Sequence, residues 1–209
     1  MYKSVEDFFS KANQTTEYAV LRNFEEFGSG SFLLHHPDID LICTDRNTMI
    51  NELDLLPRGK STDTIHRKVL INDIYVPVDL RCPGDGYYCE KWEIGMINNR
   101  KYAGDGYYIL SDEDYRFSLL YHVLIQKDNI SADYKSRISI MFNDETDISL
   151  NEVHYLRTLE NFMSDKGYFF TFPENSKTTF HYEKVSKGLI EPNFRKLIGR
   201  KVLHLLNRA

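Results

Sequence analysis

Two β-rich runs, HRKVLI (66–71) and IYVPVDLR (74–81), are separated by only Asn72 and Asp73. Two polar residues between such runs predict a tight β-hairpin, since Asn and Asp tolerate the left-handed backbone that a two-residue turn requires. This part of the chain is thereby committed to a sheet. Alternation assigns the faces of the second run. Ile74, Val76, Val78 and Leu80 form an apolar face, while Tyr75, Pro77, Asp79 and Arg81 lie on the other. Pro77 cannot donate to a ladder, so it is expected at a sheet edge or a bulge.

The neighbouring segments predict a mixed architecture. Residues 5–11 read as a short leading helix, and 17–23 (EYAVLRN) as a strand. The Gly28-Ser29-Gly30-Ser31 run is a flexible loop signal. Residues 38–44 (DIDLICT) read as a second strand, and 47–56 as a helix closed by Pro57, Arg58 and Gly59. PGDGYY (83–88) and AGDGYY (103–108) are near repeats, each read as a turn bent at Asp-Gly. Ser111 with Asp114 resembles a capping box, and Phe117, Leu120, Tyr121 and Leu124 follow at helical spacing. Ser149 with Glu152 predicts another helix start, with Val153, Leu156, Leu159 and Met163 as its apolar face and Lys166-Gly167 as its stop. GYFFTF (167–172) and TTFHYEKV (178–185) read as strands, and a last helix is expected from about Pro192. The fold class expected is α+β: a small mixed sheet flanked by helices over residues 1–100, then a mainly helical part with a short β element over 101–209, packed on the first.

Bulk properties narrow the partners. The 209 residues suffice for one large domain or two small ones. A net charge of −5 argues against broad electrostatic binding to DNA or RNA. The three cysteines, Cys43, Cys82 and Cys89, fit neither a CxxC pair nor a zinc ribbon and read as free thiols of a reducing compartment. The N-terminal residues lack an apolar signal region, and no stretch reaches the roughly 18 apolar residues of a membrane span. A cytoplasmic protein without a transmembrane segment is therefore expected. No G-x-x-x-x-G-K-[ST] loop and no Ser-His-Asp arrangement is present to support a P-loop kinase or a serine hydrolase.

The acidic residues carry the functional reading. In a strand, Asp38 and Asp40 point to one side while Ile39 and Leu41 face the core. Two such carboxylates repel each other, and a hard cation such as Mg²⁺ relieves the repulsion. Asp79 is a single acid in a strand whose opposite face is apolar, and Arg81 shares its side. Three carboxylates on neighbouring strands could hold two Mg²⁺ ions, bind a triphosphate and stabilise a leaving pyrophosphate. His35-His36 would point to opposite faces of a strand, which argues against joint metal ligation. Lys127, at the end of LLYHVLIQK, is a candidate phosphate contact. The basic residues beyond Pro192 read as a solvated face.

The order of strand, Gly-Ser loop, D-x-D strand and later Asp-bearing strand resembles the nucleotidyltransferase superfamily of the DNA polymerase β type. Within it, YAVLRNFEEF…DIDLIC…VPVDLR…GDGYY…KW…LLYHVLIQK is similar to bacterial proteins of surface-polysaccharide gene clusters, over roughly residues 17–135. The resemblance implies Asp38, Asp40 and Asp79 as catalytic metal ligands for Mg²⁺, with Mn²⁺ able to substitute. It implies transfer of a nucleoside monophosphate from an NTP to a small-molecule acceptor, a hydroxyl or phosphate such as that of a sugar or polyol phosphate. In the family a Gly-Ser motif grips phosphate. Here Gly28-Ser29 or Gly30-Ser31 is the literal match, yet only six residues separate Ser31 from Asp38, too few for the usual intervening helix. Arg22-Asn23, at the end of the first strand, is the favoured alternative. Ser29, Ser31, Arg22, Asn23, Arg81 and Lys127 are thus the nucleotide-binding candidates. A catalytically inactive binding module of the same fold is the other reading.

Overall fold

A computed structural model describes residues 1–27, 32–35, 37–60, 62–143, 148–171 and 180–192. The chain divides into two compact units, Met1–Asp85 with Glu90–Tyr115, and Gly86–Cys89 with Arg116–Ala209. The described helices and strands run α1 (Val5–Ala12), β1 (Tyr18–Arg22), α2 (Phe32–His35), β2 (Ile39–Cys43), α3 (Arg46–Glu52), β3 (Leu56–Pro57), β4 (His66–Ile71), β5 (Ile74–Arg81), α4 (Glu90–Asn98), β6 (Lys101–Ala103), β7 (Tyr107–Ile109), α5 (Asp112–Ile125), α6 (Ala132–Phe142) and α7 (Glu152–Lys166). The class is α+β.

The first unit holds a seven-stranded mixed sheet in the order β3-β4-β5-β2-β1-β7-β6. β2 runs parallel to β5 and β1 parallel to β7, while the other pairs are antiparallel. The hairpin forms as its sequence predicts. Asn72 and Asp73 take φ of 48° and 61°, both left-handed, and Ile71 pairs with Ile74. α1 starts at Ser4, whose side chain accepts the Asp7 N–H at 3.2 Å, and buries Val5, Phe8, Phe9 and Ala12. Asp45 caps α3 by accepting the N–H groups of Asn47 and Thr48 at 2.9 and 3.1 Å. Val20, Leu41, Val69, Val76, Val78 and Leu80 join α1 and Met49 in one apolar cluster. β6 and β7, counted with the later half in the sequence reading, extend this sheet beyond β1.

Pro77 departs from expectation. It lies in β5, between β4 and β2, rather than on an edge strand. Parity explains why. Counting from the turn, Val76, Val78 and Leu80 bond towards β4, and the Leu80 N–H donates to the Ile65 carbonyl at 2.9 Å. The nitrogen of Pro77 therefore faces the β2 side, where pairing begins only at Val78.

The second unit is mainly helical among its described residues. Ser131 caps α6. α7 ends at Gly167, whose φ of 66° completes the predicted stop. Its start differs from the sequence expectation: Asn151, not Ser149, is the cap residue, without a side-chain hydrogen bond. Its buried face is Tyr155, Leu159, Phe162 and Met163, and Val153 is 73% exposed. The larger area of the two aromatic rings sets that face. The strands expected at 167–172 and 178–185 do not form among the described residues. Phe170 makes only an isolated bridge to Ile190, and Tyr182–Lys184 is a 3-10 turn. The backbone there finds other partners, the His181 N–H donating to the Ile125 carbonyl at 2.8 Å. The last helix expected beyond Pro192 falls outside the described residues.

Candidate functional site

One row of charged residues crosses four neighbouring strands of the first unit. Arg22 of β1 is in register with Asp40 of β2, Asp40 with Asp79 of β5, and Asp79 with His66 of β4. The row lies on the sheet face opposite Leu41, Val78 and Leu80, as alternation requires.

Arg22 reaches this face through a β-bulge. Val20 pairs with Leu41, but Arg22 rather than Leu21 pairs with Asp40. The extra residue reverses the parity of the strand end and turns Arg22 towards the carboxylate. Its Nε donates to Asp40 Oδ2 at 2.7 Å, with each side chain 9% exposed. Asn23, next in the chain, takes a left-handed φ of 62° as the chain leaves the sheet.

Asp79 has a different environment. Its Oδ1 is shielded from solvent and accepts no hydrogen bond among the described residues, with Arg58 Nη1 at 3.6 Å. Burial raises the proton affinity of its carboxyl above the ordinary range, and the neighbouring Asp40 raises it further, partly offset by His66, Arg81 and Arg58. Arg81 is buried and shares the parity of Asp79. His66 is held from its far side, Nδ1 lying 2.8 Å from Asp63 Oδ2. Burial works to raise Asp63, yet the N–H groups of His66 and Ile65 and the His66 ring outweigh it and bring its carboxyl down to about 2.

A folded-state proton affinity raised at Asp79 means stability that is present below the ordinary carboxylate value and lost as pH rises through the raised one. Asp79→Asn is therefore expected to stabilise the protein at pH 7 by about 1 kcal/mol, or about 2–4 °C in Tm. The gain should fade as pH falls towards 4, the ordinary carboxylate region. Thermal melts at the two pH values check this. A loss of stability at pH 7 would contradict the strain assigned to Asp79.

Not every candidate joins the row. Asp38 stands two residues before Asp40, just outside β2, and is half-buried. Among the described residues no three His, Cys, Asp or Glu side chains are gathered as a metal-holding group. Ser29, Ser31 and His36 lie outside the described residues. Lys127 is exposed beyond the end of α5, in the second unit. Arg58, Asp63 and His66 belong to the site and were missed in the sequence. For His66 the signal was present: a two-residue turn at 72–73 sets residue 66 opposite residue 79.

Chemically, the row offers one carboxylate neutralised by an arginine and a second whose charge is poorly compensated. The second suits a cation or a transferable proton. A hard divalent ion fits Asp79, because it would supply the close contact that Oδ1, with Arg58 at 3.6 Å and no hydrogen bond among the described residues, does not make, and would screen Asp40. Among the described residues no helix is long and apolar enough to cross a membrane. No family model, no curated protein and no solved structure matches the chain.

Proposed function

We propose that the chain is a Mg²⁺-dependent nucleotidyltransferase that moves a nucleoside monophosphate from an NTP to a hydroxyl or phosphate acceptor. The acceptor class, a sugar or polyol phosphate, follows from the resemblance to polysaccharide-cluster proteins. The observation that carries the reading is the in-register pairing of Asp40 with Asp79 on parallel strands, with Asp79 Oδ1 buried and without a hydrogen bond among the described residues. Asp38, Asp40 and Asp79 would hold the metal. Bound there, Mg²⁺ supplies charge neutralisation and polarises phosphoryl oxygens. Asp79, with its raised proton affinity, is the group suited to accept the acceptor's proton. Arg22 orients Asp40. Arg58, half-exposed beside Asp79, is placed to meet incoming phosphate.

One observation favours the other reading, a nucleotide-binding module without transfer: Arg22 already occupies Asp40 at 2.7 Å, where a metal-loaded centre would use that oxygen. Two measurements separate them. For an enzyme, pyrophosphate release with candidate acceptors requires Mg²⁺, and Asp38→Ala or Asp79→Asn removes it. For a module, calorimetry finds NTP binding without Mg²⁺, and no pyrophosphate appears. Turnover unaffected by Asp79→Asn would rule out the assigned site.

A further inference from the structure

Cys43 is the last residue of β2, and Cys82 follows β5 directly. The register that pairs Ile42 with Arg81 sets the two cysteines side by side, on the face away from Asp40 and Asp79. Their Sγ atoms are 3.6 Å apart. Cys43 is buried in the apolar cluster, whereas Cys82 is half-buried and partly reachable from solvent.

The two thiols have unlike surroundings. The Cys43 thiol, as a hydrogen-bond donor, favours a thiolate on Cys82; burial opposes this, and the Arg46 guanidinium supports it, so that Cys82 is pushed down to about 7. The same hydrogen bond and burial push Cys43 up. Arg46 is fixed by its Nε donating to the Leu80 carbonyl at 3.1 Å and by Asp85 Oδ2 at 2.7 Å. Asp85 opposes the thiolate of Cys82 by its charge but accepts the Cys82 N–H at 3.2 Å, fixing the turn that carries the sulfur. Asp45 also acts on the pair, through Cys43.

We propose that Cys43 and Cys82 are a reversible oxidation site, in which a hydroperoxide oxidises Cys82 and Cys43 resolves it to a disulfide joining β2 to β5. The Cys82 thiolate attacks one peroxide oxygen. The O–O bond breaks, the leaving oxygen takes a proton and departs as water or alcohol, and Cys82 becomes a sulfenic acid. Cys43 then gives up its proton and attacks the Cys82 sulfur. An S–S bond forms, and the S–OH bond breaks to release water. Two thiols lose two electrons, and the hydroperoxide gains them. Neighbouring strands stand about 4.8 Å apart, within the Cα separation a disulfide accepts, and the sulfurs need only close to about 2.05 Å. A thiolate-rich, partly exposed cysteine beside a buried resolving thiol is the arrangement such chemistry requires.

The test uses the full chain, reduced and then exposed to hydrogen peroxide at pH 7, alkylated and digested without reductant. The expected product is a linked peptide containing Cys43 and Cys82, lost on adding dithiothreitol, with Cys89 still alkylated. Cys82→Ser should slow peroxide-dependent thiol loss about tenfold or more, since it removes the partly exposed sulfur on which the Arg46 guanidinium and the Cys43 thiol favour a thiolate. In Cys43→Ala, dimedone should trap a sulfenic acid on Cys82 that does not accumulate in the unmodified chain. A dimedone adduct on Cys82 of the unmodified chain without any linked peptide would overturn the proposal. So would oxidation that begins at Cys89. Both readings come from the unmodified chain, so a poorly folding variant does not blunt the test.

Discussion

Asp40→Ala is expected to lower the unfolding free energy by about 3–5 kcal/mol. The cost arises from what the substitution leaves behind. Arg22 is 9% exposed in its side chain, and its Nε donates to Asp40 at 2.7 Å. Without that carboxylate, the guanidinium stays in a poorly solvated position and loses a counter-charge at hydrogen-bond distance. The lost bond contributes less than the stranded charge costs. Arg22→Leu should also destabilise, because Asp40 and Asp79 then repel without the cation. The double variant Arg22→Leu, Asp40→Leu should recover most of the loss, since a buried pair replaced by apolar groups of similar size is often neutral. Urea unfolding of the parent, Asp40→Leu, Arg22→Leu and the double variant closes the cycle and measures the coupling. If Asp40→Ala costs less than 1 kcal/mol, Arg22 has a solvated alternative and the pair does not organise this face.

Phe9→Ala should cost a similar amount, about 3–5 kcal/mol, for a different reason. Phe9 is fully buried. Its ring centroid lies 5.1 Å from that of Phe8, 6.0 Å from Tyr18, 5.3 Å from Phe27 and 5.0 Å from Tyr107. Truncation removes apolar area from the junction of α1, β1 and β7 and leaves a cavity walled by rings that cannot all collapse into it. Phe9→Leu fills much of the space and should cost under half as much. Val153→Ala, at a 73% exposed site, should stay within about 0.5 kcal/mol and serves as the control. A Phe9→Ala variant melting with the parent would mean that α1 does not close the core.

Strand parity made much of the first unit legible. It assigned the apolar face of β5, put Asp79 and Arg81 on the other side, and placed Asp40 opposite Leu41. The Asn72-Asp73 turn fixed the hairpin, and the Ser111 start of α5 is recognisable by its polar side chain. The failures have specific causes. The edge-strand expectation for Pro77 assumes that every β5 nitrogen needs a partner, whereas pairing with β2 starts one residue later. Val153 was placed on the buried face of α7 by spacing alone, while Tyr155 and Phe162 carry more area. α4 and α6 went unrecognised, their apolar residues being weakly periodic around Trp92 and Ile138. That Asp79 faces Asp40 depends on β2 and β5 being neighbours, which no local pattern states. The contact between Arg22 and Asp40 depends on a bulge with no sequence mark, as Arg22 would share the face of Val20 in a regular strand.

That bulge also decides which pairing of β1 can persist. All five residues of β1 are buried, so a one-residue slip against β2 exposes no apolar side chain and conceals none. Hydrophobic patterning, which fixes register in a one-sided strand, is silent here. A slipped strand would carry the guanidinium of Arg22 away from Asp40 and into contact with uncharged neighbours. The ion pair thus favours the native register over a slipped one by the electrostatic cost of separating it. A cation that orients a carboxylate in the finished molecule would, on this view, already have selected the alignment that brings Asp40 beside Asp79.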